Sequence, residues 1–170
     1  MSNRAARRAS KKQMQHSIKQ AMKNRCCGPC TACCFSQAVG EINKPAFESC
    51  PHVGQDGCAI YNKRPSGCRA WSCLWRLGLL TNKDRPDSLG IVFDVTLAND
   101  RAIIYPGGQA LVAREVIPGS FDKSQDLLNH LASDKIIILV KAGDTRREVI
   151  GPQDQLEYME QMIQQLHPVT

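Results

Sequence analysis

Apolar positions along the chain change their rhythm twice. In residues 1–25, MSNRAARRASKKQMQHSIKQAMKNR, only Met14, Ile18 and Met22 form a series, at four-residue steps. On a helix these three make one thin stripe, too narrow to hold a helix by burial alone. The expectation is an arm, helical or disordered. From 26 to 85 no period survives. Gly28, Pro29, Pro45, Pro51, Gly54, Gly57, Pro65 and Gly67 punctuate the segment. It reads as loop-rich with short helices, and it has too little apolar surface to hold itself together without some other bond.

Beyond residue 86 the pattern becomes regular. Ile91 to Leu97 is strand-like, Asn99-Asp100 marks a turn, and Arg101 to Tyr105 follows as a second strand. Pro106-Gly107-Gly108 is another turn before an apolar run from Ala110 to Ile117. Asp122 or Ser124 caps a helix through Leu127, Leu128 and Leu131. Ile136 to Val140 is fully apolar and reads as a central strand, with one more from Arg146 to Ile150. Leu156, Met159, Ile163 and Leu166 then line one side of a terminal helix. The order, roughly β-β-β-α-β-β-α, predicts an α+β fold: a small, mostly antiparallel sheet with helices on one side. Three regions result: the arm (1–25), the cysteine module (26–85) and the sheet region (86–170). The module and the sheet are expected to pack as one compact unit.

Charge changes the reading of the arm. Of the 22 basic residues, eight lie in 1–25, which has no acid; that leaves 14 basic against 16 acidic residues elsewhere. The net charge of +6 therefore belongs to the arm, and the body is mildly acidic. Such an arm is suited at most to weak nucleic-acid or anionic-surface contact, and the body offers no basic face. Arg, Ala and Ser without acids is also the composition of a mitochondrial transit peptide. No apolar run follows the first basic residues, and none reaches the ~18–20 residues of a membrane span. The default is a cytoplasmic protein.

Cysteine changes the picture most. All nine cysteines lie between Cys26 and Cys73, five of them in CCGPCTACC. In a reducing compartment a cluster of this kind points to metal before disulfides, and an odd count fits poorly with full pairing. Cys27-x2-Cys30-x2-Cys33 lets the chain fold back so that several sulfurs reach one centre. Zinc takes four thiolates tetrahedrally, and three cysteines at this spacing with a distant fourth also hold iron–sulfur clusters. Cys50, Cys58, Cys68 and Cys73 supply the partners. Side chains of neighbouring residues diverge, so Cys33 and Cys34 rarely share one ion. Cys27, Cys30, Cys33, Cys34, Cys50, Cys58, Cys68 and Cys73 fill either two four-thiolate sites or one cluster with structural thiols beside it. Cys26 is the odd one out. His52 is a weak candidate ligand.

Cys27-Gly-Pro-Cys30-Thr-Ala-Cys33-Cys34 resembles the CxxCxxCC motif of the YkgJ-like family of zinc- or iron-chelating proteins. Gly57-Cys58-Ala-Ile-Tyr-Asn-Lys-Arg-Pro-Ser-Gly-Cys68-Arg69 is similar to that family's C-x-I-Y-x-x-R-P-x-x-C-R signature. The joint match covers roughly residues 27–73, and Cys26 and Trp71 depart from the pattern. The resemblance implies metal binding at the matching cysteines, as zinc or as iron in a 4Fe–4S cluster. It implies no catalytic role, although related modules accompany iron–sulfur protein-methylating enzymes in one branch. Arg64 and Arg69 would offset thiolate charge or make surface ion pairs. Tyr61 and Ile60 would form the module's small core. Trp71 and Trp75, four apart, would form a helical face docking the module on the sheet.

The chain has no G-x-x-x-x-G-K-S/T, no G-x-G-x-x-G after a strand and no H-E-x-x-H. His16, His52, His130 and His167 are in no nucleophile signature. Three readings follow: a metal-binding protein; a cluster-dependent redox or protein-modifying enzyme, hinged at residues 71–85; and an RNA- or ribosome-associated adaptor acting through the arm.

Overall fold

The computed structural model describes residues 3–95, 110–144 and 147–166. The expected strand at 101–105, the turns at 99–100 and 106–108, Arg146 and His167 lie outside them. The fold is α+β, as the pattern predicts.

The arm is a helix, α1 (Asn3–Asn24). Its hold on the body lies in its last two turns, where Ile18, Ala21 and Met22 are half-buried while Met14 is exposed. Arg25 fixes this end. Its Nη1 donates to the carbonyls of Trp75 and Leu80, and its guanidinium lies 5.3 Å from the centre of the Trp75 ring. Ala21 packs so closely on Gly78 that a β-carbon there would lie 2.6 Å from the Ala21 methyl.

The module is loop-rich, with a short helix α2 (Ala32–Ser36), a two-stranded hairpin β1 (Val53–Gly54) and β2 (Gly57–Cys58), and helix α3 (Ser66–Ala70). Helix α4 (Pro86–Leu89) leads into the sheet, its proline at the first turn where no amide hydrogen is needed.

The main sheet contains β3 (Ile91–Val95), β4 (Leu111–Glu115), β5 (Ile137–Val140) and β6 (Glu148–Ile150), in that spatial order. β3–β4 and β5–β6 are antiparallel and β4–β5 is parallel. The parallel pair needs a crossover. Helices α5 (Ser120–Lys123) and α6 (Gln125–Ala132) provide it.

Alternate residues of a strand face opposite sides. One face carries Ile91, Phe93, Leu111, Ala113, Ile137 and Leu139, packed with Phe121 and Leu128 from α5 and α6. Leu74, Trp75 and Leu80 of the module belong to this same core. On the other face, Ile138 and Val149 pack with Met159 and Leu156 of α7 (Gln153–Leu166). Helices thus cover both faces, not one as the order of elements suggested, because α7 returns across the side opposite α6. Among the described residues no helix is long and apolar enough to cross a membrane.

The module is also stitched to the outer edge of β3, where the Leu74 amide donates to the Phe93 carbonyl at 3.0 Å. Trp71 and Trp75 both meet the sheet, but not from one helix. α3 ends at Ala70 and Trp71 is extended, its amide closing the helix on the Gly67 carbonyl. Trp75 is buried in the core, whereas Trp71 is half-buried with its indole Nε1 donating to Asp94.

Candidate metal centre

Cys27 and Cys30 sit on a tight turn. The Cys30 amide donates to the Cys27 carbonyl at 3.0 Å, and Gly28 between them has a φ of 52°. The hairpin β1–β2 leans on this turn and brings Cys58 beside it. α2 carries Cys33 and Cys34, α3 carries Cys68, and the β3-edge stitch carries Cys73. Cys50 precedes the hairpin, its carbonyl accepting from the Val53 amide at 3.1 Å.

Cys26 is exposed and the other eight cysteines are half-buried; no pair of the nine is disulfide-bonded. Of the eight, all but Cys73 line one cavity of about 500 Å³ between the module and the sheet. Cys73 lines an adjoining cavity of about 40 Å³ with Cys27, Cys30, Cys33 and Cys68. The chain therefore brings all eight proposed ligands to one region and leaves Cys26 outside it. His52 also lines the larger cavity, His16 and His130 are exposed, and Trp71 and Trp75 both line the smaller cavity beside the thiols.

Burial and neighbouring thiols shift several of these groups together. Burial raises the Cys73 thiol, with a smaller push from Cys27 and Cys30. Cys33 is raised by its hydrogen bond with Cys34 and by burial, then by Cys34, Cys27 and Cys30. Burial raises Cys68, followed by Cys34, Cys50 and Cys58. Cys73 thus responds to Cys27 and Cys30, and Cys68 to Cys34, Cys50 and Cys58, while Cys33 is tied first to Cys34 and then to Cys27 and Cys30. Cys34 is more acidic than the adjacent Cys33, drawn down to about 7 by the hydrogen bond from Cys33 and then by Lys44 and Arg64 against the opposing effect of burial.

Among the described residues no group of three or more His, Cys, Asp or Glu side chains is already set as a metal cage. Protonated thiols gain nothing by converging; thiolates converge around a cation and release protons as it binds. The donor set itself fits soft, thiolate-preferring zinc or iron–sulfur centres. The surroundings fit too, because four thiolates on one zinc leave a net −2 that needs cations nearby.

Those cations are present. Lys44 is only 5% exposed, and its Nζ donates to the carbonyls of Phe35, Gln37 and Pro45. Burial lowers its pKa, while Cys50, Cys34 and Cys33 oppose that shift. Arg64 lies 3.8 Å from the Tyr61 ring centre and donates from Nε to the Tyr61 carbonyl at 2.8 Å. Arg76 donates to the Cys27 sulfur at 3.7 Å and to the Tyr61 hydroxyl at 3.3 Å. Arg85 donates to the Cys27 carbonyl at 2.9 Å and pairs with Asp87, also at 2.9 Å. Arg69 is exposed and forms no salt bridge among the described residues.

Pattern reading did not find Lys44, Arg76 or Glu41. Glu41 accepts from the Ser66 amide at 2.7 Å, the Ser66 hydroxyl and the Gly67 amide at 3.2 Å. It thus satisfies the free amides that open α3, the helix bearing Cys68. Only Lys44 left a local trace, as a cation within a cysteine-rich loop; the other two contacts span long sequence separations. In comparisons with known proteins, no family, no curated protein and no solved structure matches the chain.

Proposed function

We propose that the protein binds metal through eight thiolates in two sets of four. Cys27, Cys30, Cys33 and Cys73 hold one centre; Cys34, Cys50, Cys58 and Cys68 hold the other. The observation that carries this reading is the burial contrast: eight cysteines face adjoining cavities while Cys26 alone is exposed. The likeness of residues 27–73 to the YkgJ-like CxxCxxCC family supports it, as does the cationic frame of Lys44, Arg64 and Arg76. Zinc serves a structural role here and an iron–sulfur cluster a redox one. Metal and acid-labile sulfide assays on protein purified without oxygen separate the two. Zinc without sulfide supports the first, iron with sulfide supports the second, and neither metal defeats the proposal. Thiols in this state suit a reducing compartment such as the cytosol.

A second reading is a cluster-dependent enzyme. The observation favouring it is that the larger cavity continues past the thiols to the sheet. An open ligand position at either centre would support it, and two closed four-thiolate sites would count against it.

A further inference from the structure

The far wall of the 500 Å³ cavity is a stretch of the sheet face on which α7 also packs. Asp94 pairs with Val112, Val112 with Ile138, and Arg114 with Val140. These five residues therefore share a face, and all line the cavity with Arg147 at their edge. Trp71 closes the wall from the module side.

An arginine in a row of valine and isoleucine is expensive unless something pairs with it. The Arg114 side chain is 21% exposed, and burial lowers its pKa, partly countered by Asp94 and reinforced by Arg147. Among the described residues its Nη1 has no hydrogen-bond partner. The nearest carboxylate oxygen, Asp94 Oδ2, is 3.7 Å away and already accepts the Trp71 indole hydrogen at 2.5 Å. Asp94 Oδ1 accepts the Val95 amide at 2.7 Å. Asp94 is thus committed to Trp71 and to its own strand, and Arg114 is left under-paired. Among the described residues of the wall, two guanidiniums face one carboxylate, which leaves one positive charge among apolar side chains.

We propose that this wall is a binding site for a small monocarboxylate with an apolar body. The carboxylate takes the fork of Arg114, which matches it in a two-point hydrogen bond. The body lies along Val112, Ile138 and Val140. A single negative charge balances the wall; a phosphate dianion would overbalance it beside Asp94. A cavity of this size with an apolar lining and a few aimed polar groups is the usual form of a small-molecule site. The site goes beyond metal binding and uses none of the thiols.

The test uses the full chain purified without oxygen, with its metal content recorded. Hexanoate and its neutral counterpart hexanamide are titrated while the two indole N–H resonances are followed. Hexanoate should shift one resonance saturably and bind about 10-fold or more tightly than hexanamide, a difference of ~1.4 kcal/mol. Arg114→Gln should remove that preference with metal content unchanged. Should that variant fail to fold, Arg147→Gln should weaken hexanoate alone. Equal affinity for the two probes, no saturable shift, or a folded variant that keeps the full preference overturns the site. A parent chain that holds no metal yet prefers hexanoate supports the site and counts against the metal reading alone.

Discussion

Gly57 rests directly on Gly28: a β-carbon at residue 57 would lie 2.3 Å from the Gly28 carbonyl oxygen. This contact joins the hairpin carrying Cys58 to the turn carrying Cys27 and Cys30. Gly57 also has a φ of 111°, which side chains rarely adopt. Gly57→Ala should therefore lower stability by about 2 kcal/mol. It should also weaken metal retention without removing any thiol. Chelator competition on the variant checks this, and unchanged retention would show that the hairpin does not position the site.

The two proposed thiol sets make a prediction about pairs. Cys73→Ser should remove one centre and Cys50→Ser the other, each leaving about half the metal, because the donors of one centre do not complete the other. The double variant should hold none. Metal content per chain checks this; complete loss from either single variant would indicate one shared cluster.

Glu41 caps α3 from 25 residues away. Its hydrogen bonds, that with the Ser66 hydroxyl foremost, hold its pKa below the usual 4.5. A carboxylate lowered in the folded state adds stability above its unfolded pKa and loses it as pH falls through the folded value. Glu41→Gln should therefore be less stable than the parent chain at neutral pH. The gap should close as pH falls below 4.5, as measured by denaturant unfolding across that range. A gap that stays constant with pH would show that charge plays no part in the cap.

Lys44 serves three carbonyls from a buried position. Lys44→Met keeps the stem but leaves those acceptors unpaired. The expected loss is about 2 kcal/mol or more, measured by denaturant unfolding. A neutral effect would mean that water or the backbone satisfies them.

The basic helix α1 predicts salt-sensitive binding to RNA, driven by displaced counterions. Deleting residues 1–24 should abolish it while retaining Arg25, which anchors the helix to Trp75 and Leu80. Filter binding at two salt concentrations checks this, and equal weak binding by both forms defeats the adaptor reading.

The parts of the fold legible from pattern are those decided locally. Residues 91–95, 111–115 and 137–140 are dense in β-branched and apolar side chains, and each is a strand. The parallel pairing of 111–115 with 137–140 is not local; it depends on which edge the crossover helices reach. The same is true of α7, whose apolar side fits either face of a sheet until α6 takes one. The stripe of Met14, Ile18 and Met22 was too thin to decide between helix and disorder. What settles it is a distant contact, Arg25 against residues 75 and 80. The eight proposed ligands were legible because thiol spacing is a chemical signal in itself. The proposed division into two sets draws on the fold, which brings Cys73 beside Cys27 and Cys30 through the stitch to the β3 edge. Asp94 and Arg114 carried an overlooked signal: charged residues within runs of apolar strand.

The most direct measurement is native mass spectrometry of the anaerobically purified full chain after brief alkylation. The account predicts one alkylated thiol, mapped to Cys26, on a chain that still carries the mass of two metal centres. Nine alkylated thiols on a chain without added metal mass would contradict it.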